Sequence, residues 1–183
     1  PDDLAQAIRT LGAIKTDNKV VQRDTHLLLA SCYQARNEIQ EAQQQYRRVL
    51  EIVPADPLAL NNLAYMLLTY GGAIEEASSL AMRAVAESEK QNLPPAFQSS
   101  TLDTLGLVQL RQKRGPDALS TYQRATKLNT NDVSLWVGLA EAQVLNAQIS
   151  DARNTMGRVE TFLGGVPPTD ASLLNRIKAL SEQ

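Results

Sequence analysis

The chain has little of what catalysis commonly uses. Its 183 residues include one cysteine, Cys32, and one histidine, His26. One thiol excludes an internal disulfide, and one imidazole without a cysteine cluster gives no zinc-ligand spacing. Cys32 stands in Leu27-Leu28-Leu29-Ala30-Ser31-Cys32-Tyr33, the setting of a buried structural thiol rather than a reactive one. Aromatic residues make up only 4%. Charge of one sign is not in excess: 18 basic residues face 20 acidic ones, for a net charge of -2. That balance gives no electrostatic ground for nucleic acid or an anionic membrane as partner. No apolar run reaches the ~18 residues of a membrane span, so direct membrane insertion is not expected. No signal peptide is legible. The chain begins at Pro1 rather than Met, which leads us to expect an upstream segment, with this part a soluble piece of the cytoplasm or periplasm. Walker loops, Rossmann glycines and a G-x-S-x-G elbow are also missing. The expectation is a non-enzyme with no cofactor and no metal.

What is abundant is alanine, leucine and glutamine, which suits helices. A small residue follows leucine at Leu29-Ala30, Leu63-Ala64, Leu105-Gly106 and Leu139-Ala140, at spacings of 34, 42 and 34 residues. An alanine and a second residue four places on recur later in each unit, as Ala42 with Tyr46, Ala77 with Ala81, Ala118 with Tyr122 and Ala152 with Met156. Small residues at fixed places let paired helices approach closely while large neighbours fill the gap. Gly106 inside a helix costs about 1 kcal/mol against Ala, so close packing is the reason to keep it. Asp56-Pro57 reads as an N-cap with proline at the first helical position, and Asn131-Asp132 offers a cap for the helix of Trp136.

In period and in these landmarks the chain resembles the tetratricopeptide repeat family. The match covers units at 23–56, 57–98, 99–132 and 133–166. The second unit is eight residues too long, one at Gly71-Gly72 and the rest before Ser99, and the terminal proline is present only as Pro54. The resemblance implies an all-α, right-handed α-solenoid of helical hairpins. Residues 1–22 read as the second helix of a truncated preceding repeat plus linker. Residues 167–183, with Leu173, Leu174, Ile177 and Leu180, read as a capping helix that covers the last apolar face.

A stack of this kind lines its concave side with first helices. The groove residues singled out on that side are Asn61, Asn62, Tyr65, Asp103 and Arg111. An asparagine amide both donates and accepts, which suits a ligand backbone, and a tyrosine adds contact area with a polar tip. Asn62 and Tyr65 are equally well placed to tie hairpins together. Family members that clamp a C-terminal carboxylate use lysine and arginine, whereas aspartates stand here at Asp24 and Asp103. A peptide with basic or neutral side chains is the better fit. The reading is a protein-interaction scaffold that binds a protein or peptide partner in its groove. The alternative is a structural spacer or self-association module, which would make the chain a homo-oligomer.

Overall fold

The computed structural model describes residues 2–166, 168 and 171–181. Expected features at residues 1, 167, 169, 170, 182 and 183, including the outer ends of the terminal segments, lie outside them. The described residues form ten α-helices and one π-helical turn. These are α1 (Asp2–Gly12), α2 (Lys19–Ala35), α3 (Ile39–Ile52), α4 (Pro57–Met66), the π turn (Leu67–Gly71), α5 (Ile74–Lys90), α6 (Pro95–Arg111), α7 (Gly115–Leu128), α8 (Val133–Leu145), α9 (Ile149–Leu163) and α10 (Ala171–Ser181). The chain divides into two compact units, residues 1–87 and 88–183.

The helices begin where the sequence supplies acceptors. Asp56 takes the Ala59 amide at 2.8 Å and Asp132 takes that of Ser134 at 3.0 Å. Asn18 does the same for Val20 at 2.9 Å. These side chains satisfy amides that the first turn leaves without partners.

The helix ends repeat as closely as the starts. After α2, Asn37 is left-handed (φ 58), and the amide of Glu38 reaches back to the Tyr33 carbonyl at 2.9 Å. After α6, Lys113 is left-handed and Arg114 bonds Gln109; after α8, Ala147 is left-handed and Gln148 bonds Gln143. Each is the 6→1 closure that turns a helix back on itself. Gly115 therefore opens α7 instead of forming the turn, and its α-carbon faces the Asn146 side chain.

In the first unit the core is Tyr46, Val49, Leu60, Leu63 and Met66, with Ala30, Ala42, Ala64, Ala77 and Ala81 at the crossings, all at most 1% exposed. The added residue at Gly71-Gly72 is absorbed by the π turn, which closes on left-handed Gly72 (φ 63). Thr25 and Leu29 of α2 are buried, whereas the most buried side chains of α1 remain half-exposed.

In the second unit Leu102, Val108, Tyr122, Leu135, Val137 and Val159 form the core. The Tyr122 ring is gripped between two helices. A β-carbon at Gly106 would meet it at 2.6 Å, and one at Gly138 at 2.2 Å. Gly106 is thus kept for close approach, as its cost in a helix suggests. Leu173, Ile177 and Leu180 of α10 pack against the cluster of Trp136, Leu139, Met156 and Val159. Trp136 donates to the Thr130 carbonyl at 2.8 Å and carries the Arg158 guanidinium 4.0 Å from its ring centroid.

Candidate functional site

The five residues expected in the groove fall in both units, Asn61, Asn62 and Tyr65 on the α4 segment of the first and Asp103 and Arg111 on α6 of the second. Each group has its own surroundings.

On the first unit, α4 turns Asn62 towards α3. Its Nδ2 donates to the Tyr46 hydroxyl at 3.0 Å, and that hydroxyl donates to Gln34 Oε1 at 2.7 Å. A continuous polar chain therefore runs from α4 through α3 to α2. Burial raises the Tyr46 pKa, and the Asn62 hydrogen bond works against that rise. Asn61 adds a long contact, Nδ2 to Asn62 Oδ1 at 3.4 Å, while its own Oδ1 is sealed from water with no partner. An acceptor in that state carries a desolvation penalty until a donor meets it. Tyr65, 41% exposed, and Leu28, 54% exposed, supply accessible apolar surface on α4 and α2. Asp24 is exposed and paired with Arg23 at 2.8 Å, and Arg23 also reaches buried Asp56 at 2.6 Å.

On the second unit, Asp103 is partly covered on α6. Its Oδ1 is covered and unpartnered. Burial pushes the carboxyl up to about 6, against the pull of the Arg176 charge and the Tyr122 hydroxyl; the charges of Asp132 and Glu141 add to the rise. The Tyr122 hydroxyl lies 3.4 Å from the Asp103 carbonyl, and burial raises its pKa too. Arg176 of α10 grips Glu141 of α8 with both edges of its fork, Nε to Oε1 at 2.9 Å and Nη2 to Oε2 at 2.7 Å. Burial works against the Arg176 charge, but the Glu141 bonds outweigh it and leave the guanidinium harder to deprotonate. Arg111 is exposed in the last turn of α6, where a cation suits the helix dipole.

Glu141, Tyr46 and Arg176 were not among the groove residues singled out from the sequence. The signal for Tyr46 was present: tyrosine holds the position four after the second-helix alanine in the first and third units, where Ala81 and Met156 stand in the others. Arg176 carried no such mark, because only the packing of α10 on α8 brings it to Glu141.

His26 is half-buried, with Nδ1 2.8 Å from Gln45 Oε1, and Cys32 is half-buried as well, less covered than its apolar neighbours suggested. Among the described residues no three His, Cys, Asp or Glu side chains gather as a metal site, and no helix is long and apolar enough to cross a membrane.

No protein-family model matches the chain. Among curated proteins it is similar to the type IV pilus assembly protein PilF of Pseudomonas aeruginosa, 28% identical over 120 residues. That match takes in 64% of this chain but only 44% of the relative's length. Among solved structures, Pseudomonas aeruginosa PilF superposes with a TM-score of 0.68 at 24% identity, covering 87% of this chain and 68% of that one. PilW, described as a widely conserved type IV pilus biogenesis factor, gives 0.76 at 20% identity, covering 99% and 83%. YrrB, described as a TPR protein with an unusual peptide-binding site, gives 0.64 at 17% identity, covering 86% and 75%. With recurring helical pairs, buried small residues within them and these neighbours in structure, the chain has the tetratricopeptide-repeat fold.

Proposed function

We propose that the chain is a non-catalytic interaction scaffold that holds an extended peptide segment of a protein partner against α2 and α4. The observation that carries the reading is the exposed apolar surface of Tyr65 on α4 and Leu28 on α2, the two helices that the Gln34–Tyr46–Asn62 hydrogen bonds tie together through α3. Exposed Gln34 and half-buried Asn62 offer amide groups to a ligand backbone, and Tyr65 and Leu28 offer apolar contact. Likeness to PilF and PilW supports placing that partner in type IV pilus assembly.

Two measurements test the reading. A photo-crosslinking residue at position 65 is expected to capture a pilus-assembly protein in cells, and Asn62→Ala with Tyr65→Ala to weaken that capture about tenfold or more, as the loss of central contacts does at interfaces. Full capture by the double variant removes this face from the reading. Normal piliation in cells lacking the protein removes the assembly role.

A further inference from the structure

In each unit the helices pack in one recurring order. α2 lies against α3, α6 against α7 and α8 against α9 as hairpins, and a second helix then meets the next first one, α3 with α4 and α7 with α8. Successive second helices also touch: Arg47 of α3 bonds Glu76 of α5, and Arg124 of α7 bonds Glu89 of α5. The first and last described helices each hold half of this order. α10 packs on α8 as α8 packs on α6, and Leu173 follows Leu139 by 34 residues, so α10 stands in a first-helix place. α1 packs on α2 as α3 does on α4, the place of a second helix. Beside α9 and the end of α10 lies a groove of about 240 Å³, lined by Ile149, Met156, Gly157 and Leu180, with Arg153 and Glu160. Gly157 indicates what that groove takes. It follows Met156 as Arg47 follows Tyr46, and Arg47 is the residue that reaches the next second helix. A β-carbon at Gly157 would meet nothing within 4 Å. A glycine inside a helix is costly unless a close approach requires it, and nothing in the described chain makes that approach.

We propose that this groove receives α1 of a second copy, which completes with α10 a hairpin that each chain carries in halves and so joins copies head to tail. The chemistry of the two surfaces matches. Leu4, Ile8 and Leu11 of α1 are only half-buried, so they retain apolar surface to lay against Ile149 and Leu180. Asp3 stands exposed in the first turn of α1 and Arg9 in the last, whereas α9 carries exposed Arg153 early and exposed Glu160 late. Laid parallel, as successive second helices of a repeat stack run, each charge meets its opposite. Because groove and helix are different surfaces, the contact is heterologous, and every added copy presents a fresh one of each. This surface is separate from the α2 and α4 face and goes beyond the reading proposed for it.

Sedimentation velocity of the full chain, from micromolar to millimolar concentration, is expected to show association that passes the dimer. Gly157→Gln fills the groove without adding charge, and it raises helix propensity, so the fold is kept while association weakens about tenfold or more. Ile8→Asp is expected to do the same from the other surface. Each variant alone is then a monomer where the parent associates. An equal mixture of the two forms a heterodimer and nothing larger, because one sound groove and one sound α1 remain. Should Ile8→Asp unfold α1, as a loss of helical circular dichroism would show, Arg9→Glu serves: it is expected to weaken association, and Glu160→Lys in the same chain to restore it. A monomer at every concentration overturns the proposal. So does parent association that stops at the dimer, association that Gly157→Gln leaves intact, or a mixture no larger than its parts. Asn62→Ala with Tyr65→Ala is expected to leave association unchanged, so failure of this interface and failure of the peptide-holding face are told apart.

Discussion

Three glycines in helices of the second unit show how much a single methyl group decides. Gly138 sits 2.2 Å, measured from an ideal β-carbon, from a Tyr122 ring that is 0% exposed, whereas Gly157 of α9 has nothing within 4 Å. Both substitutions to alanine bring about 1 kcal/mol of helix propensity. At Gly157 that gain stands alone, and Gly157→Ala is expected to stabilise by up to about 1 kcal/mol. At Gly138 the buried ring has nowhere to move, and the overpacking cost of ~1–3 kcal/mol or more exceeds the gain. Gly138→Ala is expected to lower stability by about 2 kcal/mol in urea unfolding monitored by circular dichroism. Gly106 was legible in the sequence as a close-approach glycine because it stands where the family pattern has one. Gly138 was not, because its counterparts Leu28, Asn62 and Thr104 are larger, and only the position of the ring explains it.

Asp103 makes a prediction in pH. Its carboxyl is raised from 3.8 to about 6 by burial, so the native state takes up a proton in a range where the unfolded chain is still ionised. Stability from this group therefore rises as pH falls through about 6 towards 4, and it is lower at neutral pH by at most about 3 kcal/mol. Thermal melts from pH 7.5 to 4.5 are expected to show this as a rise that Asp103→Asn removes. A rise of the same size in Asp103→Asn assigns the pH dependence to other groups. The aspartate itself was legible as a groove residue. The covering of its Oδ1 was not, because that depends on how the helices pack around α6.

At the scale of elements, the phase of the helices was the most legible feature, since small crossing residues and N-caps are local signals. The hairpin turns were less so. Gly71-Gly72 and Gly115-Pro116 are turn-type dipeptides, but the left-handed positions that close α2, α6 and α8 are Asn37, Lys113 and Ala147. The hydrogen bonds of the closure tolerate a strained residue there, so no glycine signal was needed in the sequence. The strain remains available to substitution: a β-carbon in the left-handed region costs ~1–2 kcal/mol, offset in part by the greater freedom of glycine when unfolded. Ala147→Gly is expected to stabilise by roughly 0.5–1 kcal/mol, read as a shift of the urea midpoint with an unchanged slope. The insertion in the second repeat shows the opposite limit. Its length was plain in the count between landmarks, but a π turn at Leu67–Gly71 and a seventeen-residue α5 are choices made by packing.

At the scale of the molecule, the described core is divided between two compact units rather than gathered in one. Repeats bury apolar surface mainly against neighbours, so stability sums over units and their local contacts. Helices with neighbours on both sides should then hold their amides longest, and helices at the ends should open first. The burial pattern agrees with that ordering. In α4 and α8 most residues are buried, including Leu60, Leu63, Leu135 and Val137, while the most covered described side chains of α1 and α10 are only half-buried. Hydrogen exchange followed by mass spectrometry is expected to show α1 and α10 exchanging fastest among the helices, and α4, α6 and α8 slowest. Arg176→Ala adds a local test within that experiment. Without the fork to Glu141, α10 keeps only its apolar contacts, so its exchange is expected to quicken severalfold while α4 is unaffected. Uniform acceleration across all helices would instead mean that the chain opens as one cooperative body, and the additive account of its stability would have to be abandoned.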